Sequence, residues 1–140
     1  MAGSVLVLDQ LTKAWALEAL ADGPIDLIGD IRFNLTFNKA GAFGLGGAFI
    51  PFLALGALVL VVALAASGGT RRPGLAIAVG LVLGGAVGNL ADRIFREPGL
   101  LQGAVVDFVD LRVWPIFNLA DSAITVGCIL LLVFGWKAEE

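Results

Sequence analysis

Long apolar stretches dominate the chain. Ala48 to Ala66 and Pro73 to Ala91 carry no charge, and Val113 to Trp136 carries one, Asp121. A membrane helix needs about 20 mostly apolar residues, so each stretch predicts a span, the last with its helix over about 115–136. Met1 to Leu20 predicts a further span that looks short at its start, with Asp9, Lys13 and Glu18 interrupting it. It does not read as a signal peptide: no basic region leads into it, and an acid stands within its apolar part.

Between these stretches the period changes. Ile31-Arg32-Phe33-Asn34-Leu35-Thr36-Phe37-Asn38 alternates apolar and polar without a break, which predicts a strand. Ala40 to Gly47 carries four glycines and reads as a turn. Ser67 to Arg72 is a short loop. Asp92 to Arg112 is a longer polar one, holding Asp92, Arg93, Arg96, Glu97, Asp107, Asp110 and Arg112. The expected architecture is an all-α integral membrane protein: a single domain over 1–140 with four transmembrane helices, at about 1–20, 48–66, 73–91 and 115–136. Its two long connections, about 21–47 and 92–114, lie on one side. No internal repeat is present, which disfavours an inverted-repeat transporter.

Composition agrees with lipid as the solvent. The chain is 59% hydrophobic with a mean hydropathy of +0.95, against roughly 45–50% apolar for a soluble domain. The nine basic residues are scattered without forming a stripe, so nucleic-acid binding is disfavoured. With no histidine and one cysteine, Cys128, there is no Ser-His-Asp triad, no Cys-His pair, no His-ligated zinc and no internal disulfide. Carboxylates, amides, hydroxyls, Lys and Arg are what remain for chemistry. Orientation should follow Lys and Arg in short loops. Arg71-Arg72, in the shortest loop, argues that this loop and both termini are cytoplasmic, although Arg32, Lys39, Arg93, Arg96 and Arg112 fall on the other side.

Ionisable groups inside spans cost roughly 2.5–3.5 kcal/mol at mid-membrane and are candidates for function by default. Asp9 and Lys13, four apart with the acid first, read as a structural pair that neutralises itself. Ala76, Gly80, Gly84 and Gly88 form a small-residue stripe suited to close helix packing. The stripe ends on Asp92, with Asn89 and Arg93 beside it, either as a helix cap with a structural Asp92–Arg93 network or as a support for a site. Asn118, Asp121, Thr125 and Cys128 share one face of the last span, a polar line that needs a partner in the interior, and Asp121 has long apolar runs on both sides. If Val105 to Val113 is extended, Asp107 is the one polar group on an apolar face, where desolvation would raise its pKa. Asp110 reads better as a solvated loop acid.

Four segments together resemble the lipoprotein signal peptidase (signal peptidase II) family. They are Asp9-Gln10-Leu11-Thr12-Lys13; Asn38 to Gly44; Gly88-Asn89-Leu90-Ala91-Asp92-Arg93 with Val105-Val106-Asp107-Phe108 after it; and Phe117-Asn118-Leu119-Ala120-Asp121-Ser122. The resemblance covers essentially the whole chain. It implies a bacterial inner-membrane protease that removes the signal peptide of a diacylglyceryl-modified prolipoprotein, cutting before the lipidated cysteine. It further implies that Asp107 and Asp121 are catalytic and that Asn38, Asn89, Asp92, Arg93 and Asn118 shape or support the site. A small periplasmic β-cradle near Ile31 to Gly44 would hold substrate, with the termini cytoplasmic and the site at the periplasmic face. The family usually reads Asn-x-Gly-Ala-Ala-Phe where this chain has Asn38-Lys39-Ala40-Gly41-Ala42-Phe43; the glycine is displaced by one, and Asn38 and Phe43 still match.

The residues left available suit two carboxylates sharing a proton, one as base toward water and one as acid toward the scissile carbonyl and leaving amine. No metal or cofactor is expected. The expected partners are the prolipoprotein and membrane lipid, with the chain a monomer. Two rival readings are a small proton or ion pathway, which would need a file of acids through the bilayer, and a structural membrane subunit whose polar clusters are packing glue.

Overall fold

The computed structural model describes residues 1–39 and 72–136. The expected span at 48–66, the glycine-rich turn at 40–47 with Gly41 and Phe43, the loop at 67–71 and Lys137 lie outside the described residues.

Among the described residues the order is α1 (Ala2–Ala19), β1 (Ile25–Ile28), β2 (Ile31–Asn38), α2 (Pro73–Phe95), β3 (Val105–Asp110) and α3 (Leu119–Trp136). α1 is patterned inside out. Its buried stripe is Val5, Asp9, Lys13 and Ala16, at the four- and three-residue steps of one helix face. Its exposed side carries Val7, Leu8, Leu11 and Trp15. Charge inward and leucine outward is the arrangement that hydrocarbon imposes. α2 is long and apolar enough to cross a membrane, with a mean hydropathy of 1.9. α3 exposes Val126, Ile129, Leu132 and Val133.

The small-residue stripe of α2 packs as its spacing implies. A Cβ at Gly84 would meet the carbonyl oxygen of Ala2 at 2.6 Å, and one at Gly88 would meet Asp9 Oδ2 at 2.5 Å. On the neighbouring face, Gly85 abuts the Ala120 carbonyl and Gly127 of α3 abuts Val82. Glycine is thus what lets α1 and α3 approach α2 closely enough for their polar side chains to meet.

β1, β2 and β3 form one antiparallel sheet in that order. It docks on the C-terminal end of α1 through Ala16, Leu20, Val106 and Phe108. The rings of Trp15, Phe33 and Phe108 close the join, with centroids 5.2 Å apart for Trp15–Phe33 and 6.1 Å for the two contacts of Phe108. The β2–β3 register pairs Arg32 with Asp110 and Phe33 with Val109, then Thr36 with Asp107 and Asn38 with Val105; between Phe33 and Thr36 it shifts by one residue, a bulge in β2.

Two boundaries and one additional strand differ from expectation. α2 continues past residue 91 to Phe95, because Asp92 is paired and so does not end the helix. The last helix begins at Leu119 and not near Pro115: Phe117 still bridges to Val109 of the sheet, and Asn118 caps the helix start. β1 was not anticipated. Its signal was the two-residue Gly29-Asp30 connection between apolar-rich runs, with Gly29 at φ +57°.

Candidate active site

The site is assembled where the C-terminal turn of α2, strand β3 and the first turn of α3 converge. Loop 96–104 makes this convergence possible. The Gly103 N–H donates to the Arg93 carbonyl at 3.0 Å, and a Cβ at Gly103 would strike the carbonyl oxygens of Asp92, Arg96 and Arg93. The chain therefore passes tight beneath the end of α2 and enters β3 at once.

α3 starts with a reciprocal cap. Asn118 Oδ1 accepts from the Asp121 N–H at 2.9 Å, and Asp121 Oδ2 accepts from the Asn118 N–H at 3.2 Å. This is a capping box built from Asn and Asp. The Asp9 carboxylate of α1 adds a third cap, accepting from the Ala120 N–H at 3.0 Å.

Asn118, fully buried, is also the link between Asp107 and Asp121. Its Nδ2 donates to Asp107 Oδ1 at 2.7 Å, and lies 3.1 Å from Asn89 Oδ1 and 3.2 Å from the Val106 carbonyl. Two hydrogens face three acceptors, of which Asp107 is nearest. Asp107 is buried in β3 and also hydrogen-bonded by the Asn38 side chain. Burial first, and the charge of Asp121 second, push its carboxyl up from 3.8 to about 7. Asp121 is half-buried, with Oδ1 accepting from Asn89 Nδ2 at 2.8 Å.

A second layer lies behind this one. Lys13 Nζ is 2.8 Å from Asp9 Oδ2, 2.9 Å from Asp92 Oδ2 and 3.0 Å from Asn89 Oδ1. The expected Asp9–Lys13 pair is present, and it opens onto α2 in place of closing on itself. Asp92 is held by Lys13, by Arg96 Nε at 2.9 Å, by the Val106 N–H at 3.2 Å and by Gln10 Nε2 at 3.3 Å. Its cationic partners are thus Lys13 and Arg96, in place of the Asp92–Arg93 pairing expected, and one backbone amide, the Val106 N–H, joins them. Arg93 is buried within electrostatic reach of Asp107, Asp92 and Asp121. Among the described residues, Lys13 and Arg96 offset Asp9 and Asp92, and Arg93 offsets one of the two remaining acids. That balance suits a pair of carboxylates holding one proton.

Asp9, Lys13, Asn38, Asn89, Asp92, Arg93, Asp107, Asn118 and Asp121 are thus brought into one connected region. Two readings need correction. Thr125 and Cys128 are exposed; Thr125 Oγ1 donates to its own helix at the Asp121 carbonyl, 2.8 Å away, so it needs no interior partner. Asp110 is no solvated acid. It is buried and accepts from Arg32 Nε at 2.7 Å, Asn34 Nδ2 at 3.2 Å and the Arg112 N–H at 2.8 Å. The Arg112 N–H first, and Arg32 second, hold its carboxyl below the usual range. Sequence reasoning also missed Gln10 and Arg96. The signal for Arg96 was its four-residue spacing from Asp92.

The fold places the chain among membrane enzymes. The fold matches two solved structures described as bacterial membrane enzymes. One has a TM-score of 0.83 and 27% identity, covering 99% of this chain and 87% of the other; the second has a TM-score of 0.76 and 28% identity, covering 94% and 87%. The profile of the family described as signal peptidase (SPase) II matches residues 1–137. The chain belongs to the signal peptidase II family, and is a membrane peptidase. Similar proteins include the lipoprotein signal peptidases of Rhodococcus jostii (48% identical, 95% of this chain and 69% of that one), Streptomyces coelicolor (48%, 84% and 58%) and Mycobacterium avium (43%, 99% and 80%). The chain thus spans between somewhat over half and four-fifths of the length of these relatives.

Proposed function

We propose that this peptidase is an aspartic endopeptidase of the bacterial inner membrane that removes the signal peptide from diacylglyceryl-modified prolipoproteins, cutting before the lipidated cysteine. Asp107 and Asp121 are the catalytic pair. The observation that carries the reading is the link through Asn118, which bonds both acids, with Asp107 held up to about 7.

At neutral pH such a pair retains one proton, on Asp107. Asp121, with both oxygens facing N–H donors at the start of a helix, suits the ionised member. It takes a proton from water as the water oxygen attacks the scissile carbonyl carbon. Asp107 gives its proton to the carbonyl oxygen. As the tetrahedral intermediate collapses and the C–N bond breaks, the proton on Asp121 passes to the leaving amine and one hydroxyl of the diol returns its proton to Asp107, which restores the pair. Asn38, Asn118 and Asn89 orient the two carboxylates, Arg93 balances the charge left on the pair, and Asp92 with the Asp9–Lys13 pair supports them.

The chain forms one domain that spans the bilayer four times, through α1, residues 48–66, α2 and α3. Both termini are cytoplasmic, with the sheet as a substrate cradle at the periplasmic face. It acts as a monomer in contact with lipid, so the diacylglyceryl chains of the substrate remain in the bilayer while the peptide bond meets water. A proton pathway is disfavoured, because Asp9, Asp92, Asp107 and Asp121 gather in one network and do not form a file. The test is a gel-shift assay with a diacylglyceryl-modified prolipoprotein beside its unlipidated form. Cleavage of the first alone is expected; cleavage of neither would overturn the proposal.

A further inference from the structure

The ammonium of Lys13 is fully buried and faces three acceptors within 3.0 Å: Asp9 Oδ2, Asp92 Oδ2 and Asn89 Oδ1. An ammonium has three hydrogens and no lone pair, so it is saturated, and every polar atom turned toward it must be an acceptor. Carboxylates meet that condition in any orientation. The Asn89 amide meets it in only one of its two orientations, because the other would set NH₂ against NH₃⁺. In the orientation that Lys13 selects, Nδ2 of Asn89 points away and donates to Asp121 Oδ1 at 2.8 Å. Asn118 Nδ2 approaches the same Asn89 oxygen at 3.1 Å, but its two hydrogens are shared with nearer Asp107 Oδ1 and with the Val106 carbonyl, whereas the ammonium has a hydrogen for each of its three acceptors.

We propose that Lys13 is a positioning residue for the reaction: acting through the Asn89 amide, it keeps a hydrogen-bond donor on Asp121 Oδ1 and so fixes how the carboxylate meets water. The proposal rests on Asp121 being the base. It gives Lys13 a part beyond neutralising Asp9, since a salt bridge alone would be indifferent to which way Asn89 faces.

The test measures kcat, KM and thermal midpoint on a diacylglyceryl-modified prolipoprotein. Lys13→Met alone strands a buried carboxylate, so it is combined with Asp9→Asn, whose Oδ1 can still cap Ala120. That pair of changes is expected to leave the thermal midpoint near wild type and KM within about twofold. It should lower kcat at least about 10-fold, the scale of one hydrogen bond to a charged group. Asn89→Ala, which leaves every Lys13 ion pair in place, should give a similar kcat loss with KM held. Joining all three changes should cost nothing further, because each route removes the same hydrogen bond. Wild-type kcat in either the Lys13→Met/Asp9→Asn protein or the Asn89→Ala protein overturns the proposal. So do losses that multiply in the triple variant, or a rise in KM at unchanged kcat. Should the Lys13 variants fail to fold, Asn89→Ala alone decides: unchanged kcat there removes the relay. Asp121→Asn in the same preparation separates the two levels. If it turns over normally the catalytic assignment itself falls; if it is dead while Asn89→Ala is normal, only the role of Lys13 falls.

Discussion

Asn118 and Asp121 cap each other across the first turn of α3, side chain to backbone in both directions, at 2.9 and 3.2 Å. The acid proposed as base is therefore also part of what starts its helix. A carboxylate that served only chemistry could swing between rotamers; this one is tied at Oδ2 by its own cap and at Oδ1 by Asn89. Asp121→Asn keeps a carbonyl oxygen for the cap and removes the charge. It and Asp107→Asn are each expected to abolish cleavage while leaving membrane insertion intact, as read by gel-shift assay and by extraction from membranes. Near-normal turnover in either would end the proposed mechanism.

Asn118→Ser separates the cap from the link to Asp107. Serine is as good an N-cap as asparagine, but its hydroxyl is too short to reach across to Asp107. The thermal midpoint should stay close to wild type while turnover falls at least about 10-fold, the scale of one hydrogen bond to an acid. Asn118→Ala should lose turnover and also about 1 kcal/mol of stability from the missing cap.

The raised Asp107 carboxyl gives a pH dependence of defined sign. As the proton donor, Asp107 must be protonated, so turnover should decline as pH rises through about 7. Stability moves the same way. The folded protein holds this proton more tightly than the unfolded chain does, so the contribution is full below about pH 4 and is lost between there and about 7. Asp107→Asn should therefore gain stability relative to wild type as pH is raised across that range. A thermal-midpoint difference, Asp107→Asn minus wild type, that stays constant or falls as pH rises would contradict the burial of Asp107.

Gly88→Ala is expected to be damaging for a reason outside chemistry. Its Cβ would lie 2.5 Å from Asp9 Oδ2, and Asp9 cannot yield because Lys13 and the Ala120 N–H hold it. A cost of about 1–3 kcal/mol is the usual scale for such overpacking. Gly3→Ala, with nothing within 4 Å of its Cβ, is the control and should be neutral in the same unfolding assay.

Asp110→Asn should lower the thermal midpoint and spare turnover. The acid anchors Arg32 and Asn34 and does not touch the pair proposed to react. Its lowered carboxyl means the stabilisation it supplies should be present at neutral pH and lost as pH falls through that lowered value. Loss of turnover equal to that of Asp107→Asn, in folded protein, would mean the wrong acid of β3 has been chosen.

Much of this was legible because local pattern and local need coincide. The alternation of Ile31 to Asn38 marks β2, the glycines of α2 mark its packing faces, and an acid within an apolar run marks Asp121. The hidden part lies in contacts between distant segments. Asp110 reads as an exposed acid until Arg32, 78 residues away, is brought against it. The reach of Lys13 to Asn89, across 76 residues, is invisible in a spacing that already gives Lys13 a partner at Asp9. Thr125 and Cys128 misled in the opposite direction: three- and four-residue spacing gives a shared face, but not which neighbours that face meets.

The bulge in β2 has a counting consequence. Arg32 and Asn38 are an even number of residues apart, so on a regular strand their side chains would leave from the same side. Asp110 and Asp107, which they hold, are an odd number apart and leave β3 on opposite sides. One surplus residue between Phe33 and Thr36 reconciles the two parities, so the strand clasps one acid from each face. Positions 34 and 35 should therefore accept exchange of side chains more readily than removal of either residue. A one-residue deletion would force the strand to give up Arg32–Asp110 or Asn38–Asp107, whatever amino acids remained. In this segment length is itself set by the geometry, and two chains identical in every remaining letter would differ in whether Asp107 keeps its partner.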